Sequence, residues 1–198
     1  QTLTDVYDAV VLPALYFAKQ DQKRANLTVE EARVIYQATR ELVDNLGASQ
    51  ATIAVVAVPV APEEDTVAAL LPKVRILACP ANDEADEVAL QMFQHVLDPV
   101  RFEVEFTKTT LLTAQVLSLV EQISPGIVCI GLVPPGGFAQ TRYLCKRLRA
   151  RFPTLPIVVG CWGSPKDEAE HLARLGLDSI AHTSTTLLDT RNQIMQLP

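Results

Sequence analysis

The sequence has no apolar run long enough to cross a bilayer. Its longest nearly uncharged stretch, 51–62, falls well short of the ~20 residues a spanning helix needs and contains Pro59 and Pro62. It has no basic segment ahead of an apolar block, so we expect no signal peptide. The first residue is Gln1 rather than Met, and we read the chain as a piece of a longer or processed protein. None of the four cysteines, Cys79, Cys129, Cys145 and Cys161, forms a C-x-x-C pair, and three lie in apolar runs. Buried thiols in a reducing compartment are therefore expected, not a disulfide framework. There is no basic excess: 17 Lys and Arg face 23 Asp and Glu, and a net charge of −6 disfavours nucleic acid as a partner. The three histidines (His95, His171, His182) share no ligand spacing, so no metal site is expected.

Nearly half of the residues, 48%, are hydrophobic and 20% are charged, enough to bury a substantial core. Residues 1–47 have helical periodicity and are expected to form a helical hairpin. Val6, Val10, Ala14 and Phe17 recur at helix spacing, and Pro13 is placed to start or kink a helical piece. Thr28-Val29-Glu30-Glu31 is a capping box ahead of a stripe of Ile35, Ala38, Leu42 and Leu46, with Gly47 as the expected stop. Residues 48–73 are expected to be a linker or edge strand, with a strand over Thr52–Val60.

From Val74 to Pro198 the chain alternates. Strands are expected at Val74–Pro80, Arg101–Thr107, Gly126–Gly131, Pro156–Cys161 and Ser179–His182. Helices are expected near Asp83–Leu97, Thr110–Ile123, Ala139–Arg151, Asp167–Leu175 and Thr185–Gln196. Continuous apolar strands between amphipathic helices define a parallel sheet covered on both faces. Five such units predict the flavodoxin-like, doubly wound α/β class with strand order 2-1-3-4-5.

In such sheets ligands sit beyond the carboxyl ends of the strands, where the strand order reverses. The residues that topology brings there are Asn82, Asp83, Thr110, Gly136, Gly137, Gly160 and Trp162, which we take as candidate ligand-binding positions. Asp83 also reads as a helix N-cap. Phosphoryl transfer of the receiver type is excluded, because Gly131-Leu132 and His182-Thr183 stand where an acceptor Asp and a Lys would be needed. Pro134-Pro135-Gly136-Gly137 lacks the Lys-Ser or Lys-Thr of a P-loop. Arg142, Lys146, Arg147, Arg149 and Arg151 read as a solvated basic helix face or a contact for anionic lipid or an acidic partner. Cys79 and Cys161 end strands that β3 should separate, too far apart for a disulfide. No nucleophile with an activating base can be assembled, since Thr109, Thr110 and Ser164 lack an evident partner and Asp83 has no His or Lys neighbour in sequence.

Two family resemblances follow from particular residues. Asp83-Glu84-Ala85-Asp86-Glu87-Val88, Thr110-Leu111-Leu112 and Gly160-Cys161 resemble the D-x-H-x-x-G, T-x-L and Gly-Gly elements of cobalamin-binding domains. Ala85 stands in place of the cobalt-ligating His, and Val88 and Cys161 in place of glycines that admit the cofactor, so no bound cofactor is expected. The stretch Val6-Tyr7-Asp8-Ala9-Val10-Val11-Leu12-Pro13-Ala14-Leu15, with Ala18-Lys19-Gln20-Asp21, Arg40-Glu41-Leu42-Val43-Asp44 and Cys79-Pro80-Ala81-Asn82-Asp83-Glu84-Ala85-Asp86-Glu87, resembles the soluble C-terminal region of bacterial permeases of the autoinducer-2 exporter family. That resemblance implies a domain on the cytoplasmic side of the bacterial inner membrane, partnered by the transmembrane part of the same protein. The reading that follows is a non-enzymatic sensory or regulatory domain taking a small-molecule ligand. A cobalamin carrier or sensor without the His ligand, and a homo-oligomerising module, are the alternatives.

Overall fold

The computed structural model describes residues 2–56, 72–164, 168–177 and 181–197. Five strands, β1 (Val74–Pro80), β2 (Phe102–Phe106), β3 (Ile127–Leu132), β4 (Ile157–Cys161) and β5 (His182–Ser184), form one parallel sheet in the order β2-β1-β3-β4-β5. The flavodoxin-like order expected from the sequence is the one observed.

Side-chain alternation along the central strands splits the interior into two cores, because successive residues of a strand face opposite ways. Ile76, Ala78, Ile127, Cys129 and Val158 face one core. Leu77, Cys79, Val128, Ile130, Ile157 and Val159 face the other. Three helices, α5 (Thr113–Ile123), α6 (Phe138–Arg151) and α7 (Glu168–Leu175), contribute to the second core. The first is closed by α4 (Glu84–Val96), α8 (Leu187–Gln196) and the N-terminal helices. Cys79 pairs with Ile130 and Leu132 with Cys161, so β3 does separate the two cysteines. All four thiols are buried, and burial pushes Cys79 up to about 12 against an opposing hydrogen bond from Thr107. They are packing residues.

The N-terminal hairpin is part of the first core. Its first arm runs as α1 (Leu3–Val6), a π-helical segment (Tyr7–Val11) and α2 (Leu12–Lys23), with Pro13 in the first turn of α2. The arm is helical without a break from Leu3 to Lys23, and the π-helical segment directly ahead of Pro13 lies where a residue without an N–H has to be accommodated. Tyr7, Leu12, Leu15 and Tyr16 are buried among residues of α4 and the sheet. Asp8 reaches the start of α8, accepting from Leu187 N at 2.8 Å and Leu188 N at 3.2 Å. The predicted capping box opens α3 (Val29–Val56): Glu31 N donates to Thr28 Oγ1 at 3.2 Å and Thr28 N to Glu31 Oε2 at 2.8 Å.

Three expectations are corrected. α3 does not stop at Gly47 but continues to Val56, so the first half of the supposed edge strand Thr52–Val60 is helical. The rest of that segment lies outside the described residues. Gly47 is instead a point of close approach: a Cβ there would lie 2.3 Å from Cε1 of His95 on α4. The last strand runs His182–Ser184, residues 179 and 180 of the expected Ser179–His182 lying outside the described residues, and the helix expected from Thr110 begins at Thr113.

His95 Nδ1 shares a 2.9 Å hydrogen bond with Tyr7 Oη, so its ring ties α4 to the first arm and has little freedom to retreat from α3. Gly47→Ala gains about 1 kcal/mol of helix propensity but overpacks this contact, with a typical cost of about 1–3 kcal/mol. We expect a net fall in thermal midpoint when Gly47→Ala is made in the parent, and no such fall when it is made in a His95→Ala background, because the clash needs both groups.

Candidate functional site

The carboxyl edge of β1 carries a short loop that enters α4 through a capping box. Asp83 accepts from Ala85 N at 3.1 Å, and Asp86 reaches back to Asp83 N at 3.3 Å. The N-cap role read for Asp83 is therefore present. The loop also holds a feature the sequence reading missed. Lys19, from the middle of α2, lies 2.9 Å from Asp83 Oδ2 and 3.1 Å from Asp86 Oδ1. Lys19 is only 4% exposed and Asp86 fully buried, while the Asp83 side chain keeps 33% exposure. The signal was its spacing: Lys19 follows Leu12, Leu15 and Tyr16 on the buried face of α2 rather than on the solvated one.

A buried charge persists only when paired and hydrogen-bonded. Asp86 meets that condition from several sides. Besides Lys19 it accepts from Asn82 N and from Val133 N, each at 2.8 Å. Burial pushes its carboxyl up to about 6, Lys19 draws it down, and Asp83 raises it. At neutral pH the carboxylate is ionised, and one ammonium is shared between two carboxylates. The cluster fastens three segments together: the hairpin through Lys19, the β1–α4 loop, and the chain after β3 through Val133. Arg40 adds a half-exposed pair to Glu87 at 3.1 Å, linking α3 to α4.

Beside this cluster lies a recess of about 420 Å³ between the hairpin and the sheet edge. Its hairpin wall carries Gln22, Lys23, Arg33 and Tyr36, and its sheet-edge wall Asn82, Asp83, Glu84 and Pro135. Tyr36 Oη donates to Gln22 Oε1 at 3.2 Å. Cations thus face the recess from the hairpin and carboxylates from the strand loop.

The other sequence candidates are dispersed. Gly136 and Gly137 border a separate recess with Asn82, Gln140 and Arg142. Gly137, at φ +71°, is the N-cap of α6, and a Cβ there would lie 2.5 Å from Leu132 Cδ1. Thr110 is exposed in the β2–α5 loop. Gly160 and Trp162 are core residues. The Trp162 indole is fully buried, stacks on Phe93 with centroids 5.7 Å apart, and donates from Nε1 to Thr190 Oγ1 at 2.9 Å. Thr190 gives its one hydroxyl proton to Thr186 O at 2.7 Å, so Ser184, 2.5 Å away, donates to it as well. A Cβ on Gly160 would lie 2.0 Å from the indole, and one on Gly131 2.9 Å from it. On the basic helix, Arg142 donates to Arg174 O, Arg149 to Leu155 O and Arg151 to Glu121, so much of that charge is held locally.

No protein-family model matches the chain, and no curated protein matches it. Among solved structures it is similar to the 1.5 Å crystal structure of a novel cobalamin-binding protein from Desulfitobacterium hafniense DCB-2. The TM-score is 0.52 at 15% identity, covering 94% of this chain and 98% of that one. The likeness defines a shared fold, the cobalamin-binding-like form of the flavodoxin-like architecture. Among the described residues no helix is long and apolar enough to cross a membrane, and no group of three or more His, Cys, Asp or Glu could hold a metal ion.

The residues of this chain do not fit cobalamin. Ala85, which the motif resemblance sets against the cobalt-ligating His, is a buried methyl group with no lone pair to offer. No histidine replaces it: His95 is bonded to Tyr7, His171 is buried against the rings of Tyr16 and Phe138, and His182 begins β5. The space over Gly131 and Gly160 is filled by Trp162.

Two outcomes are expected. Hydroxocobalamin mixed with the protein elutes apart from it on gel filtration, leaving a colourless protein peak. Lys19→Met lowers stability by about 3 kcal/mol near pH 8, the usual cost of stranding a buried charge. The sign of its pH dependence is set by Asp86. With the ammonium gone, the folded-state pKa rises above the value of about 6 in the native protein. The variant's deficit then shrinks as pH falls through that raised pKa, because a neutral Asp86 no longer needs Lys19. Denaturant unfolding of both proteins across pH 5–8 reads this out.

Proposed function

We propose that this chain is a non-enzymatic sensory domain that binds a small zwitterionic molecule, of the amino-acid type, in the recess between its helical hairpin and the carboxyl edge of its sheet. The observation that carries the reading is the buried Lys19 bridge to Asp83 and Asp86, beside the recess. A ligand in contact with both Lys19 and Asp83 touches the hairpin side and the strand-loop side of that joint, and a change in their spacing would move the hairpin against the sheet. The division of charge supports the ligand class. Lys23 and Arg33 suit a carboxylate, while Asp83 and Glu84 suit an ammonium. A non-catalytic role agrees with the side chains at the edge, since Asp83 is engaged by Lys19 and Ala85 N and no nucleophile stands beside a base.

The permease-like residues of the hairpin extend the proposal. In a full-length transporter the hairpin would join this domain to the transmembrane part and carry the ligand signal toward it. The cobalamin-binding-like fold is consistent with a binding role, and the cofactor itself is set aside by the fit above.

A thermal-shift panel of free amino acids tests the proposal. At a hundredfold excess over its Kd a ligand stabilises by about 2.7 kcal/mol, a shift of several degrees for a chain of this size. Arg33→Ala is expected to abolish that shift while leaving the unliganded midpoint nearly unchanged. A panel with no stabiliser, together with transport unaltered by deletion of the domain, would overturn the reading.

A further inference from the structure

On the opposite face of the sheet a second crevice opens between the carboxyl end of β1 and the beginnings of α5 and α6. Its volume is about 260 Å³, below the range usual for drug-sized ligands, so an occupant would be small. It shares one lining residue, Asn82, with the hairpin recess. Leu111, Val116 and Leu144 supply an apolar floor, and Lys108 and Thr113 stand among the lining residues. No carboxylate lines it. Glu87, which accepts from Thr109 N at 3.4 Å, has its charge met by Arg40.

Two observations point to an anion with an apolar body. The first is electrostatic. The N-cap residues of α5 and α6, Leu112 and Gly137, carry no acceptor in their own side chains, and at α5 Gln115 Oε1 takes only the Leu112 N–H, at 2.8 Å. Both positive helix ends and the Lys108 ammonium therefore favour negative charge here. The second is independent of charge. Thr141, fully buried in the first turn of α6, is among the lining residues, and its buried hydroxyl has no hydrogen-bond partner. A buried hydroxyl left without a partner costs about 1–3 kcal/mol. Its neighbour in the lining, Thr107, differs in bonding to the Cys79 thiol. An oxygen-bearing occupant would give Thr141 the partner it lacks.

We propose that this crevice is a binding site for a short-chain organic acid, with Lys108 and the α5 N-terminus drawing the carboxylate, Thr141 donating to a ligand oxygen, and Leu111, Val116 and Leu144 covering the hydrocarbon. The site is separate from the hairpin recess and does not depend on the function proposed for it.

The test is a titration of the ¹⁵N-labelled protein, followed by amide shifts, with sodium acetate, butyrate, lactate and pyruvate. Sodium chloride and sodium phosphate at matched ionic strength are the controls. At least one acid is expected to move the Thr109, Thr113 and Thr141 amides saturably. Lys108→Gln and Thr141→Val should each weaken its Kd by about tenfold, the loss typical of a hydrogen bond to a charged group. Thr141→Val should leave the thermal midpoint unchanged or raised, since it removes an unpaired hydroxyl while keeping its shape. The proposal is overturned if no acid gives saturable shifts, or if phosphate gives the same shifts at the same concentration, which would mean an adventitious ion only. It is equally overturned if Thr141→Val binds as the parent does, or if its midpoint falls, marking the hydroxyl as structural.

Discussion

One ammonium group shared by two carboxylates holds this molecule in its present arrangement. Lys19 is removed from water on the hairpin, Asp86 is removed from water at the head of α4, and neither is tolerable without the other. The consequence is geometric as much as energetic. Apolar contacts between helices and sheet allow many nearly equivalent seatings, whereas an ion pair with directed N–H donors from Asn82 and Val133 allows one. Asp8 at the start of α8 and the Tyr7–His95 bond repeat the device at other points along the same arm. The hairpin is thereby registered against the sheet edge at polar points, while the hydrophobic core beneath supplies most of the cohesion.

The alternating half of the fold could be read from residues because its strands are buried on both faces. Such strands appear as continuous apolar runs, and the order of the sheet follows from chain connectivity and right-handed crossovers. The errors came where one residue serves two purposes. Gly47 has the signature of a helix terminus, yet here it makes room for an imidazole from a helix distant in sequence. Lys19 has the composition of a solvated position, yet its partners stand sixty-odd residues away, beyond any local pattern. Asp83 was identified in its capping role because that role is local. Its second role, toward Lys19, is tertiary, and no spacing rule encodes it. Trp162 and Gly160 were placed at the right edge of the sheet, but whether a large ring roofs a core or lines a pocket depends on Thr190 and Phe93, which only the folded chain brings to it.

The chain shares its architecture with a cobalamin-binding protein, and a shared fold does not fix what fills the space above the sheet. Here an indole packs over the glycines near the ends of β3 and β4. Stacked on Phe93 and tied through Thr190 to Ser184, the ring contributes to the core as a large buried aromatic does, at a scale of about 3–5 kcal/mol if truncated to alanine. The glycines now serve the packing of a side chain.

The division of the interior into two cores has a further implication. A parallel sheet with side chains alternating cleanly to either face is a partition: what happens on the α5 and α6 side is screened from the hairpin by a full layer of backbone. At the rim Asn82 stands astride the partition, walling both recesses while its backbone N–H donates to Asp86. The two halves of this molecule therefore meet at the rim, through Asn82 and through the path from Thr109 by way of Glu87 to Arg40 of the hairpin.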